Sequence, residues 1–267
     1  MSPYHPRGIS APEHAHLIDA VRAAGMIAMD YFRTDPAAWE KSPGHVVSEA
    51  DLAANDYLKA ALWEPNPGDG WLSEESTDDL SRLAARRVWI VDPIDGTNAF
   101  LAGRPEFAVS VALVVDGAPH AAALFNPATD EMFEALAGGG ARLNGAPLKV
   151  TGRAVVKGAR LVCSRAEADR VEWRAELSGV AVSAISSMAY KLALVAAGRY
   201  DACVTLWPKS EWDIAAAALL LSETGAPMTD ARGVAFTYNK ADTRLPEVVA
   251  AGPALHARLI ERLAGWR

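Results

Sequence analysis

Asp92 and Asp95 stand three residues apart in Trp89-Ile90-Val91-Asp92-Pro93-Ile94-Asp95-Gly96-Thr97, where a short apolar run feeds two carboxylates held in a Pro-containing turn. Burying a strand end that carries two acids is costly unless their charge is neutralised. The run offers oxygen ligands to a hard cation at one edge, and the Gly-Thr opening offers backbone N–H groups to an anion at the other. That pairing suits a metal-assisted phosphate site. Three more acids stand at the ends of expected elements: Asp51 near the start of a helix, Glu74 after a short strand, and Asp213 just before an apolar helix. Each has an ordinary structural explanation by itself. Asp213 suits a helix N-cap, Asp51 an exposed helix position, and Glu74 with Glu75 a solvated loop.

The elements that must position these groups are read from apolar spacing. Leu17, Ile18, Val21, Ala24, Gly25, Ala28, Tyr31 and Phe32 recur at helical steps, and the helix they form is expected to end at Pro36. A second helix is expected over Val46 to Leu62, after Lys41-Ser42-Pro43-Gly44, a loop with a lone cation. Strands follow over Phe107–Val115 and His120–Phe125 with Asp116-Gly117 as their hairpin turn, then over Met132–Leu136 and Ala141–Val150. Gly138-Gly139-Gly140 between them reads as a tight turn, since the spacing of a dinucleotide fingerprint is absent. The chain then alternates strand and helix: Arg160–Ser164, Ala166–Leu177, Val180–Ile185, Met188–Ala197, Ala202–Leu206 and Ile214–Thr224, with a strand at Val248–Ala251 and a helix over Leu255–Leu263. Such alternation predicts α/β layers. We expect two packed lobes, residues 1–152 carrying most of the acids and residues 153–267 carrying Asp213.

Composition narrows the partners. With 267 residues, 51% of them hydrophobic, the chain can bury a sizeable core. A net charge of −7 without a long Lys/Arg run argues against a nucleic-acid polymer as ligand. No segment approaches the roughly 18 to 20 apolar residues that span a bilayer, and Met1 to Ser10 has no apolar signal core, so a cytoplasmic protein is expected. Cys163 and Cys203 lack a zinc-type or disulfide spacing and read as small buried hydrophobes.

The Asp92–Thr97 run with its preceding strand resembles the signature of the inositol monophosphatase superfamily. Val47-Ser48-Glu49-Ala50-Asp51, Ser73-Glu74-Glu75-Ser76 and Trp212-Asp213-Ile214-Ala215-Ala216 fall in the family's order, and the similarity covers nearly the whole chain. The resemblance implies a layered αβαβα sandwich and a phosphomonoesterase that uses two or three Mg2+ ions. Glu74, Asp92 and the Ile94 carbonyl would hold the ion that activates water, and Asp92, Asp95 and Asp213 the ion that stabilises the leaving oxygen. Thr97, hydrogen-bonded to Asp51, would orient and help deprotonate the water, with Gly96 and Thr97 N–H groups on the phosphate and no covalent phosphoenzyme. Without a cation, carboxylates about 4 Å apart repel by roughly 4 kcal/mol at an effective dielectric near 20. A homodimer and inhibition by Li+ are also implied.

Substrate choice turns on other segments. Ser186-Ser187-Met188-Ala189-Tyr190-Lys191 occupies the stretch that lines the alcohol side of the family's pocket, where inositol-specific members begin with Gly-Thr. Thr205-Leu206-Trp207-Pro208-Lys209-Ser210 stands where those members carry a carboxylate for ring hydroxyls. These features, with Ser164-Arg165 and Gly103 to Phe107, are similar to the bacterial 3'(2'),5'-bisphosphate nucleotidase branch. On that resemblance Ser187, Lys191, Trp207 and Lys209 become substrate residues, Trp207 stacking on a base and Lys191 or Lys209 pairing with a second phosphate. Trp207 equally suits packing between lobes, and Lys209 solvent. A bisphosphate nucleotide is therefore the first expected substrate and inositol 1-phosphate the second, with histidinol phosphate and sugar phosphates open. A non-catalytic regulatory protein on this fold would not need all five acids and Thr97.

Overall fold

Odd and even positions along the central strands go to different cores, and that division sets the layers. In the computed structural model, which describes residues 8–42, 44–169 and 177–264, helix α1 (Ala11–Tyr31) is followed by a hairpin of β1 (Ala38–Ser42) and β2 (His45–Ser48) and by helix α2 (Glu49–Leu58). A seven-stranded sheet comes next: β3 (Gly70–Ser73), β4 (Arg87–Asp95), β5 (Ala108–Val115), β6 (Ala118–Asn126), β7 (Glu131–Leu136), β8 (Gly140–Leu143) and β9 (Ala146–Pro147), with the short helix α3 (Thr97–Leu101) between β4 and β5. The strands lie in chain order, β3 and β4 parallel and the rest antiparallel. The remainder alternates β10 (Arg160–Cys163), α4 (Arg165–Ala168), β11 (Ala181–Ala184), α5 (Met188–Ala196), β12 (Ala202–Thr205), β13 (Lys209–Ser210), α6 (Glu211–Glu223), β14 (Met228–Thr229), β15 (Arg244–Leu245), β16 (Val248–Ala251) and α7 (Pro253–Leu263). A second sheet, of five strands, has the order β11-β10-β12-β16-β14.

Trp89, Val91, Val109 and Val111 pack against Leu17 and Val21 of α1 and Leu58 of α2. Their neighbours Val88, Ile90 and Ala112 face the other way, onto Leu192 of α5 and Leu220 of α6, which also cover Val162, Cys203 and Val248 of the second sheet. The alternate residues of that sheet, Leu161, Cys163, Val204 and Val249, meet Leu255 and Leu259 of α7. The order across the molecule is thus helix, sheet, helix, sheet, helix, as the resemblance implied. Every residue of α5 is buried, as a helix sandwiched between two sheets requires.

Several sequence readings are corrected. Val46 to Ser48 form a strand, because two β-branched residues precede a serine that caps the helix beginning at Glu49. The first helix stops at Tyr31, before Pro36, as Phe32 turns extended. Ala141–Val150 is divided at Asn144-Gly145, both with positive φ (48° and 80°), the backbone demanded by a two-residue hairpin turn. The helix expected at Ile214 begins three residues earlier, at Glu211. Of the helix expected over Ala166–Leu177, residues 165–168 are helical and 170–176 lie outside the described residues.

Candidate active site

The expected turn at Asp92-Pro93 is a bulge within β4. Asp92 pairs with Ser110 and Asp95 with Ala108, so three steps on β4 oppose two on β5. In a regular strand, residues three apart point to opposite faces. The extra residue cancels that alternation and turns both carboxylates toward α5 and α6, and Pro93 is tolerated because a bulge does not need its missing N–H. Gly96 then takes φ 99°, where a Cβ would lie 2.8 Å from the Glu106 carbonyl, so a side chain is excluded on two grounds.

Two of the other acids are carried by one local device. Ser48-Glu49-Ala50-Asp51 and Ser210-Glu211-Trp212-Asp213 are capping boxes, Ser-x-x-Asp, in which the third helical residue reaches back to the N-cap N–H. Asp51 Oδ2 accepts from Ser48 N–H at 2.8 Å, and Asp213 Oδ2 from Ser210 N–H at 2.7 Å. Asp213 is therefore inside the first turn of α6 and the N-cap is Ser210. Asp95 is held across the fold, its Oδ2 accepting from the Ser187 hydroxyl at 2.6 Å and from Ala189 N–H at the start of α5. Asp92 Oδ1 accepts from Ile94 N–H at 3.1 Å.

These placements bring one carboxylate oxygen each from Glu74, Asp92 and Asp213 within 4.8 Å of one another. Burial lifts Glu74 to about 8, opposed by the Lys41 ammonium and reinforced by Asp213, Glu75 and Asp95. Burial likewise raises Asp213 to about 7 and Asp51 to about 6. Asp92 is held well above the ordinary range by burial and then by the Glu74 and Asp95 charges. Asp95 is raised by burial against the Ser187, Ala189 and Met188 hydrogen bonds. An all-oxygen, carboxylate-rich and mutually repelling donor set is the chemistry of a hard-cation site, and Mg2+ fits it.

Beside the acids, Thr97 Oγ1 lies 3.1 Å from both Asp51 Oδ1 and the Ile94 carbonyl. Gly96 and Thr97 line a cleft of about 360 Å3 with Glu74, Asp92, Ile94, Asp95 and Asp213, at the start of α3, whose first N–H groups have no partner inside the helix. Lys191 and Lys209 also line it, each close enough to Asp213 to favour its ionised form. Ser187 is corrected: it is wholly buried, donates to Asp95 and caps α5 by accepting from Tyr190 N–H at 3.0 Å, so its neighbour Ser186 faces the cleft instead. Trp207 is 37% exposed and is not part of the cleft wall.

Sequence reading missed Lys41 and Glu75. Lys41 Nζ lies 2.6 Å from Glu75 Oε1 and 3.4 Å from Glu74 Oε1. Nothing in the spacing says that the Lys41 side chain reaches Glu74 and Glu75, and the only signal was a lone cation in a loop. Arg165, Ser186 and Asn98 also face the cleft.

The model of the inositol monophosphatase family matches residues 11–265. The chain is 40% identical over 203 residues to an inositol-1-monophosphatase of Rhizobium meliloti (strain 1021), covering 72% of this chain and 75% of the relative. It is 36% identical over 209 residues to Nus factor SuhB of Pseudomonas aeruginosa, covering 73% and 75%. Among solved structures, extragenic suppressor protein suhB from Bartonella henselae matches with a TM-score of 0.81 at 28% identity, over 93% of this chain and 97% of that one.

Proposed function

The chain belongs to the inositol monophosphatase family, and we propose that its cleft hydrolyses inositol 1-phosphate, or a closely similar monophosphate of a small polyhydroxy alcohol, by direct attack of water. The protein is a metal-dependent phosphomonoester hydrolase, and the observation that carries the site is the convergence of Glu74, Asp92 and Asp213 next to the Thr97–Asp51 pair.

Glu74, Asp92, the Ile94 carbonyl, Asp95 and Asp213 are the groups that would hold Mg2+. When bound, Mg2+ neutralises these acids, makes water more acidic and stabilises charge on the leaving oxygen. Thr97 Oγ1, donating to Asp51 Oδ1, has a lone pair with which to orient the attacking water. Asp51, raised to about 6, is mostly ionised at neutral pH and close enough to its midpoint to take a proton through Thr97. Backbone N–H groups of Gly96 and Thr97 would bind phosphate oxygens.

The preference for inositol 1-phosphate over a bisphosphate nucleotide reverses the order expected from sequence. Relatives named inositol-1-monophosphatase are 40% and 42% identical to this chain. Trp207, the residue for stacking a base, stands outside the cleft wall, and Lys191 and Lys209 lie close enough to Asp213 to be engaged by its charge. Phosphate release from inositol 1-phosphate, 3'-phosphoadenosine 5'-phosphate, histidinol phosphate and fructose 1,6-bisphosphate tests this. The highest kcat/KM is expected on inositol 1-phosphate, and a clear preference for the nucleotide would restore the other assignment.

A further inference from the structure

β10 and β12 are adjacent parallel strands, and crevices outside the carboxyl ends of such strands are where α/β folds receive ligands. Ser164 and Arg165 follow β10 and line the cleft, and the segment after β12 brings Lys209 to the same wall. Between these two segments stands Glu167, 1% exposed. Its Oε2 accepts from Ser164 N–H at 3.0 Å and from the Ser164 hydroxyl at 2.7 Å. Its Oε1 accepts from the Thr205 hydroxyl at 2.6 Å and from Leu206 N–H at 2.8 Å. A capping box accounts for the first oxygen only. The second reaches a different strand, 38 residues away in sequence.

Among the described residues the carboxylate thus accepts from four donors, two from each segment. Burial alone would push its proton affinity up, but the hydrogen bonds from Ser164, Thr205 and Leu206 win, and the group is held below the ordinary carboxylate range. It stays ionised at neutral pH, and both of its oxygens are turned to the fold.

We propose that Glu167 is a positioning residue for substrate selection, a clamp that fixes Ser164 and Arg165 against the segment carrying Lys209 and so sets the shape of the alcohol side of the cleft. The proposal rests on the reading of this cleft as a phosphomonoesterase site. It differs from a plain capping role in tying together the segments that leave two neighbouring strands, beyond the point where strand pairing holds them. Gln at this position presents one acceptor and one NH2 donor, so it can serve one pair of donors only and sets N–H against N–H or O–H at the other. Thr205→Val removes a single donor at nearly constant shape and leaves the cap intact.

The test is steady-state kinetics of Glu167→Gln and Thr205→Val on the panel member that the wild type turns over fastest, with Mg2+ affinity followed by calorimetry and folding by thermal melting. Glu167→Gln is expected to raise KM roughly tenfold with kcat within about twofold, and Thr205→Val to raise KM roughly threefold. Mg2+ affinity should not change in either. Folded variants with unchanged KM would overturn the proposal, as would a parallel fall in kcat and Mg2+ affinity, which marks general loosening. The wild-type panel reports on the substrate assignment and the variant-to-wild-type ratio on the clamp, so the two fail separately.

Discussion

The acid cluster should bind Mg2+ with release of protons, and its metal-free form should lose stability as pH rises. Glu74 and Asp213 are lifted by burial to about 8 and about 7, from ordinary values of 4.5 and 3.8. The native state therefore holds protons that the unfolded chain has already lost, and stability falls with rising pH until the folded-state values are passed. His14 and His256, whose buried rings are lowered, act in the opposite sense, but that effect is nearly complete by pH 7. Integrating the two carboxyls from pH 7 to 8.5 gives a loss of about 2 kcal/mol, or roughly 4–8 °C in Tm for a domain of this size. Saturating Mg2+ takes the place of the protons, so its stabilising effect should be larger at pH 8.5 than at pH 7. At pH 7, Glu74 and Asp213 together carry between about one and two protons to be released, and Asp92 and Asp95, also raised, can only add to that number. Calorimetric titration with Mg2+ in two buffers of different ionisation enthalpy measures that number, and melting curves in EDTA and in Mg2+ measure the rest. Proton-neutral Mg2+ binding at pH 7, or a metal-free Tm that climbs between pH 7 and 8.5, would refute the reasoning.

Three substitutions separate the roles of the individual groups. Asp95→Asn should melt near the wild-type temperature while kcat falls by at least about a hundredfold, because a neutral amide is a poor ligand for a hard cation; near-wild-type turnover at saturating Mg2+ would remove Asp95 from the site. Thr97→Ala should lower kcat by about 100-fold or more with Mg2+ affinity nearly intact, and equal losses of both would place Thr97 among the ion's ligands. Ser187→Ala removes a helix cap and the 2.6 Å bond to Asp95, so a stability loss of about 1–2 kcal/mol and a several-fold higher Mg2+ requirement are expected from melting curves and from activity against Mg2+ concentration.

Most of the layering was legible because it follows from apolar spacing. Val109, Val111 and Leu113 alternate with Ala108, Ala112 and Val114 between two cores, and Asp116-Gly117 matches the positive φ values of 50° and 80° that its turn requires. What was not legible depends on pairing across distance. The short strands β13 and β15 are two residues each, too brief for any periodicity, and they exist because Lys209 pairs with Leu245. The bulge at Asp92–Asp95 could not be seen either, since a Pro after an apolar run reads as the end of a strand until the partner strand shows that pairing resumes at Asp95. Trp207 was hard to place for a related reason: residue type suggested stacking, and in the fold it is 37% exposed and outside the residues that line the cleft.

The local and functional readings of the acids are not rivals, and the hydrogen bonds show why. A carboxylate has two oxygens, and Asp213 uses Oδ2 on the Ser210 N–H while an oxygen of the same group comes within 4.8 Å of Glu74 and Asp92. Asp51 divides the same way, with Oδ2 on Ser48 and Oδ1 on Thr97. Asp95 engages Oδ2 with Ser187 and Ala189, and Asp92 engages Oδ1 with Ile94 N–H. Each has an oxygen anchored by protein donors, local ones for Asp51, Asp92 and Asp213 and donors across the fold for Asp95, which orients the carboxyl in a pocket that burial would otherwise make hostile to its charge. Glu167 and Glu211 are the counter-examples. Glu211 meets Asn239 N–H at 2.6 Å through Oε2 and Lys240 N–H at 2.9 Å through Oε1, and Glu167 engages both oxygens with Ser164, Thr205 and Leu206. Burial and helix position do not distinguish these two from Asp51 and Asp213, because all four are buried or nearly so and sit in the first turns of helices. Acceptor capacity distinguishes Asp213, whose carboxylate comes within 4.8 Å of Glu74 and Asp92 and needs a cation or a proton to complete it, whereas Asp51 has both oxygens engaged like Glu167 and Glu211 and is set apart by its partner, the Thr97 hydroxyl on the cleft wall.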